Sequence, residues 1–209
     1  MPDQHLIEHR TGGSTLLTGG FLEVRRDDVR LPDGSHATRE FVQHPGAVAI
    51  VPLLDDGRRV LVRQHRYPVG KVLLEWPAGK LEVGEDPLHC AMRELREETG
   101  YSAAQWALAG DIHNAAAYSS ETIRLYFARG LTAGDKSPDI GEFVETVCLS
   151  EAQLLALDLR GELPDVKTLI GLMWLQQLHS GQRACEWREA PDSAPLAARP
   201  DGTASDATL

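Results

Sequence analysis

The stretch GKLEVGEDPLHCAMRELREETGY, residues 79–101, decides how this chain is read. Its second half carries the marks of a helix at both ends. Asp86 is an N-cap residue type, Pro87 falls at the first helical position where a missing N–H costs nothing, and Gly100 suits a left-handed stop. Between them Leu88, Ala91, Met92, Leu95 and Thr99 recur at helical spacing and form a stripe to be buried. The same periodicity puts Glu94, Glu97 and Glu98 together, because positions three and four apart share a face. A run such as RELREE is commonly a solvated helix face. Here a glycine-punctuated loop adding Glu82 and Glu85 precedes it, and clustered carboxylates repel unless a cation balances them. Carboxylate oxygens are what hard divalent ions prefer, and magnesium is used beside substrate phosphates.

Outward from the helix, KVLLEWPAGK (71–80) reads as a short strand breaking into a loop. Before it, GAVAIVPLL (46–54), the turn Asp55-Asp56-Gly57 and RRVLVRQHR (58–66) form a hairpin apolar enough for the centre of a sheet. Earlier still, FLEVRRDDVRL (21–31) and ATREFVQH (37–44) flank Pro32-Asp33-Gly34-Ser35 as a second hairpin, while the first 20 residues carry little pattern. Downstream, strands are expected at 122–131 and 142–150. A helix over 151–159 starts at Ser150 with Gln153 in capping-box position, and a last helix spans roughly 165–180. Beyond about 186, Ala, Pro, Asp and Ser dominate, which predicts disorder. The expected organisation is an N-terminal β hairpin region (1–44), a main domain (45–184) and a disordered tail (185–209). The fold class is α+β with a mixed sheet.

Bulk properties narrow the partners. The chain has 209 residues, 42% of them hydrophobic, enough for one substantial core. A net charge of −10 disfavours nucleic-acid polymers. No apolar run reaches a membrane span, the N-terminus lacks a signal-peptide pattern, and Cys90, Cys148 and Cys185 are scattered and odd in number. A soluble cytoplasmic protein is the expectation.

Gly79, five residues, Glu85, seven residues, Arg93-Glu94-Leu95, one residue, Glu97-Glu98, one residue and Gly100-Tyr101 together resemble the Nudix box, a signature with about nine constrained sites. Tyr101 stands where a plain aliphatic is commoner. The resemblance implies that 45–184 is a Nudix hydrolase domain, an α/β/α sandwich preceded by a small N-terminal antiparallel β domain that serves as the dimerisation region (1–44), and hydrolysis of a diphosphate with bound Mg2+, or Mn2+, two or three per site. It implies Glu94, Glu97, Glu98 and the Ala78 carbonyl as metal ligands, and Glu97 and Arg93 in the catalytic group, Arg93 orienting a neighbouring glutamate. Glu85, Gly79 and Gly100 would be structural.

The similarity extends to Gln64-His65-Arg66 and Glu75-Trp76-Pro77-Ala78-Gly79, which resemble the ADP-ribose pyrophosphatase branch. On that resemblance Arg66 contacts substrate phosphate, and Glu75 binds water or ribose or else is structural. Glu142 is the catalytic base, with Asp135 and Asp139 as alternatives. Glu121, in AYSSE (117–121), lies near the substrate, and Arg39 joins Phe21, Arg25 and Phe41 as candidates for holding the base. Ala116 replaces a proline usual in that branch, which weakens specificity for ADP-ribose but not hydrolysis. The expected substrate is ADP-ribose or a related ADP-sugar, cut to AMP and a sugar phosphate by a homodimer. GDP-mannose and dinucleoside polyphosphates are the alternatives within the class, and a non-cutting ligand sensor is the alternative outside it.

Overall fold

The computed structural model describes residues 3–138 and 141–191. The most apolar strand is the natural starting point. β4 (Ala47–Leu53) is buried along nearly its whole length, which requires cover on both faces of its sheet. Its side chains alternate between two cores. Ala49 and Val51 meet Leu61, Trp76, Phe127, Leu172 and Leu175, whereas Val48 and Ile50 meet Cys90, Ala91, Leu95 and Tyr126. α1 (Pro87–Thr99) covers the second face; α2 (Glu151–Leu159) and α3 (Val166–His179) contribute to the first. The result is the expected α/β/α sandwich.

The central sheet is mixed. β4 runs parallel to β9 (Ile123–Ala133) and antiparallel to β5 (Arg58–Arg66), with β10 (Val144–Ser150) beyond β5 and β8 (Tyr101–Ile112) beyond β9. β6 (Lys71–Glu75) pairs with β5, and the three-residue β7 (Ala78–Lys80) pairs with β4. The capping signals are realised. Asp86 Oδ1 accepts from Leu88 N and His89 N, Gly100 takes φ 79°, and Ser150 and Gln153 close a capping box.

The N-terminal region has one strand more than the hairpin read from sequence. β1 (His9–Thr18), β2 (Glu23–Arg30) and β3 (His36–Gln43) make a three-stranded antiparallel sheet. β1 is exposed at nearly every position and its register shifts twice against β2, so no alternation marks it in the sequence. The start of the expected disordered tail also differs. β11 (Arg188–Glu189) pairs with β8, and the Trp187 ring lies under Arg129 at 4.0 Å. Residues 192–209, the rest of that segment, lie outside the described residues.

Candidate active site

α1 and β7 face each other across the start of the catalytic stretch, and their closeness depends on glycine. A Cβ on Gly79 would sit 1.9 Å from the Glu94 carboxyl carbon. Beside it, Glu98 is 1% exposed and its Oε2 accepts from the Ala78 N–H at 3.0 Å. Burial pushes Glu98 up to about 8, with the Glu94 charge adding to it. Burial likewise pushes Glu94 up to about 7, against the opposing pull of Arg93.

Arg93 is the hub. Nε and Nη2 donate to the two oxygens of Glu85 at 2.9 and 3.1 Å, and Nη1 donates to Glu94 Oε1 at 2.8 Å and Glu97 Oε2 at 3.0 Å. Burial works against its charge, but the Glu85 hydrogen bonds and the surrounding carboxylates more than offset this and hold it protonated. Glu85, one residue before the N-cap Asp86, is thereby tied to the metal-ligand candidates rather than left in solvent. Its second oxygen also accepts from Glu82 N at 2.9 Å, closing the loop.

Glu82, Arg93 and Glu94 border a cavity of about 560 Å³, whereas Glu85, Glu97 and Glu98 are not among its lining residues. Arg66, Ala78, Gly79, Glu94, Arg93, Glu121 and Glu142 line it, so the structure brings most of the sequence-predicted residues to one place. Glu142 accepts from Gln64 Nε2 at 3.2 Å across 78 residues of chain. Arg66 forms a two-pronged pair with Glu75, Nε to Oε1 at 2.9 Å and Nη2 to Oε2 at 2.7 Å. Glu75 itself is fully buried behind that arginine and does not line the cavity. Glu121 is positioned through its loop, because Val42 of β3 bonds Tyr118 O and Ser120 N, and His44 N bonds Ser120 Oγ. Arg39 is elsewhere: on β3, its guanidinium pairs with Glu8 just before β1, and it is not a cavity-lining residue. Phe21 does line the cavity, with Lys80 Nζ 4.6 Å above its ring; Arg25 and Phe41 do not. Asp135 is not a lining residue, and Asp139 lies outside the described residues.

Sequence reasoning passed over Lys80, His44, Asn114 and Lys167, and it used Gln64 as part of a motif without giving it a role. Lys167 carried a usable signal. It sits two residues after the N-cap Asp165, where the helix dipole opposes a cation, so an ordinary surface helix would not place it there.

The donor set suits a divalent cation. Two buried carboxylates held toward neutrality, with Glu82 and Glu142 on the same cavity, are hard oxygen donors in excess of the local positive charge, and Arg93 balances only part of it. Among the described residues no three such side chains already converge as a closed ligand set, consistent with Arg93 holding one oxygen each of Glu94 and Glu97.

A mixed sheet between helices, with an acidic helix face against a glycine-bearing strand and Arg66 on the same cavity, defines a Nudix hydrolase. The chain belongs to the Nudix family: the NUDIX domain model matches residues 43–169, and the model for the nucleoside diphosphate sugar hydrolase N-terminal domain matches residues 9–42. It is 38% identical over 163 residues to the methanol dehydrogenase activator of Bacillus methanolicus, covering 77% of this chain and 88% of that protein. It is 34% identical over 173 residues to the ADP-ribose pyrophosphatase of Bacillus subtilis (strain 168), covering 82% and 94%. The fold matches a crystal structure of ADP compounds hydrolase with TM-score 0.74 at 21% identity, covering 85% of this chain and 97% of that one.

Proposed function

We propose that the protein hydrolyses the pyrophosphate of a nucleoside diphosphate sugar, ADP-ribose foremost, to AMP and ribose 5-phosphate. One observation carries this reading: Glu94 of α1, Arg66 and Glu142 border a single cavity with room for a nucleotide-sugar. The ADP-ribose pyrophosphatase named above supports the substrate class.

Glu94, Glu97, Glu98 and the Ala78 carbonyl would hold two or three magnesium ions, with manganese as the alternative. The bound cations supply positive charge to the pyrophosphate oxygens, which resist attack while unneutralised. Arg66 binds a phosphate and holds it alike in the bound substrate and as the P–O bond to the leaving phosphate breaks. Glu142, steadied by Gln64, takes the proton from the attacking water as that oxygen bonds to phosphorus. Arg93 keeps Glu85, Glu94 and Glu97 in place throughout. Phe21, on the same cavity, offers a ring face for the base. The working form is a homodimer built through the N-terminal sheet, where Leu16 and Leu17 are exposed.

The test is hydrolysis of ADP-ribose, GDP-mannose and a dinucleoside polyphosphate with Mg2+, wild type beside Glu98→Gln, reading AMP release by chromatography. Preferred cleavage of ADP-ribose, abolished in the variant, is expected. Preference for another substrate would keep the chemistry and change the name. Tight binding of ADP-ribose without turnover of any substrate would show a sensor instead.

A further inference from the structure

We propose that Lys167 is a positioning residue for Arg66, acting through the buried carboxylate of Glu75; the inference rests on Arg66 being the phosphate-binding arginine proposed above.

Lys167 is 7% exposed, and its Nζ contacts Glu75 Oε2 and, at 2.9 Å, Asp165 Oδ1. Glu75 Oε2 also accepts from Arg66 Nη2. One carboxylate oxygen is therefore shared by a lysine on α3 and an arginine on β5, elements 92 residues apart at the Glu75–Lys167 contact. Strand pairing does not impose the arrangement. In register Arg66 faces Lys71 and Glu75 faces Val62, so the arginine reaches back along the sheet to make its pair.

The base of this relay is rigid. Trp76, next to Glu75, donates its indole N–H to Thr168 O at 3.0 Å and its backbone N–H to Thr168 Oγ1 at 3.2 Å. Gly171 lets α3 close on that indole, since a Cβ there would stand 2.3 Å from Nε1. Asp165 caps α3 through Thr168 N at 2.9 Å. Lys167 is thus presented from a fixed turn.

Charge explains why a second cation is needed. Asp165 and Glu75 against Arg66 and Lys167 is a balanced set of four. Without Lys167 the two carboxylates outnumber Arg66, and the cavity wall that should receive an anion turns negative. The buried lysine satisfies Glu75, which leaves the Arg66 face toward the cavity effective for phosphate. Arg66 remains 38% exposed at its side chain, whereas Glu75 is 1% exposed, so of this pair the arginine presents the charge to a ligand, with the 9% exposed Lys167 side chain beside it on the cavity.

The experiment is a double-mutant cycle in the full chain with ADP-ribose and Mg2+. Lys167→Met should raise KM on the order of tenfold while kcat stays within about threefold, and Lys167→Arg should bring KM back to within about threefold of wild type. In the Arg66→Met background, adding Lys167→Met should change KM by less than about twofold. Should Lys167→Met fail to fold, Lys167→Gln, which still donates to Glu75 but carries no charge, takes its place in the cycle. Multiplying effects, or a loss confined to kcat, would overturn the proposal. A second readout needs no substrate: the Arg66 Nε–H signal in a 1H–15N spectrum, identified by its absence in Arg66→Lys. Slow exchange in wild type that becomes fast in Lys167→Met is expected, and unchanged exchange would overturn the relay. If wild type turns over no substrate while that signal still responds, the function proposed above fails and the anchoring of Arg66 stands.

Discussion

Gly79→Ala places one methyl group where the Glu94 carboxyl lies. Gly79 is not among the glycines with positive φ, so its backbone would accept alanine without strain. Space is the obstacle. The added Cβ would meet Glu94 Cδ and Oε1 at 1.9 Å and Oε2 at 2.4 Å, roughly 1.5 Å short of ordinary contact for the nearest pair. Gly79 is held opposite Val48 in the β4–β7 pairing, so the side chain moves rather than the strand. Glu94 then gives up its 2.8 Å bond from Arg93 or drags that guanidinium away from Glu85 and Glu97. For the fold this is a modest loss, about 2 kcal/mol for one charge-assisted hydrogen bond and an off-rotamer side chain, or roughly 4–8 °C in Tm. For the chemistry it is large, because a displacement of about 1 Å at a positioned group costs on the order of a hundredfold. Steady-state kcat/KM for ADP-ribose with Mg2+, measured beside Tm by calorimetry, separates the two. The expected result is an activity loss near a hundredfold in a protein that still unfolds cooperatively. Wild-type kcat/KM in Gly79→Ala would show that the Glu94 position is irrelevant to the reaction and would refute the site as built here.

Two further outcomes follow from the charges. Burial acts to raise the Glu75 pKa, but Arg66 and Lys167 outweigh it and hold the carboxyl below its ordinary value of 4.5. The folded state therefore binds this proton less readily than the unfolded chain, so the stabilisation is complete above about pH 4.5 and is lost as pH falls through the lower folded value. Glu75→Gln should cost about 3 kcal/mol at pH 7, and urea melts should show its deficit against wild type shrinking below pH 4.5; a deficit constant across that range would rule out the charged pair as its source. Divalent cation should stabilise the wild type, because Glu94 and Glu98 are buried with too little positive charge beside them. Thermal scans with Mg2+ and with chelator should differ by several degrees in wild type and by much less in Glu98→Gln, and equal shifts would place the binding elsewhere.

What the sequence made legible was local or periodic. Asp86, Pro87 and Gly100 delimit α1 because caps act on their own helix end, and the carboxylate face follows from helical spacing alone. β4 and β5 were legible as apolar runs around a turn. β1 was not, since a strand exposed at nearly every position and broken by two register shifts has no alternation to detect. β8 was missed for a related reason: it is long but built from small residues, and it shifts register between Leu108 and Gly110. Site residues divide along the same line. Glu94, Glu97 and Glu98 sit on one helix, so their grouping is visible in one dimension. The support for Arg66 and Glu142 comes from Lys167 and Gln64 through contacts spanning 92 and 78 residues, which no local pattern encodes. The one local trace is a lysine in the first turn of α3, disfavoured by the helix dipole and by burial at once. A residue that offends two local preferences needs a tertiary partner, and here that partner is the Glu75 carboxylate behind Arg66.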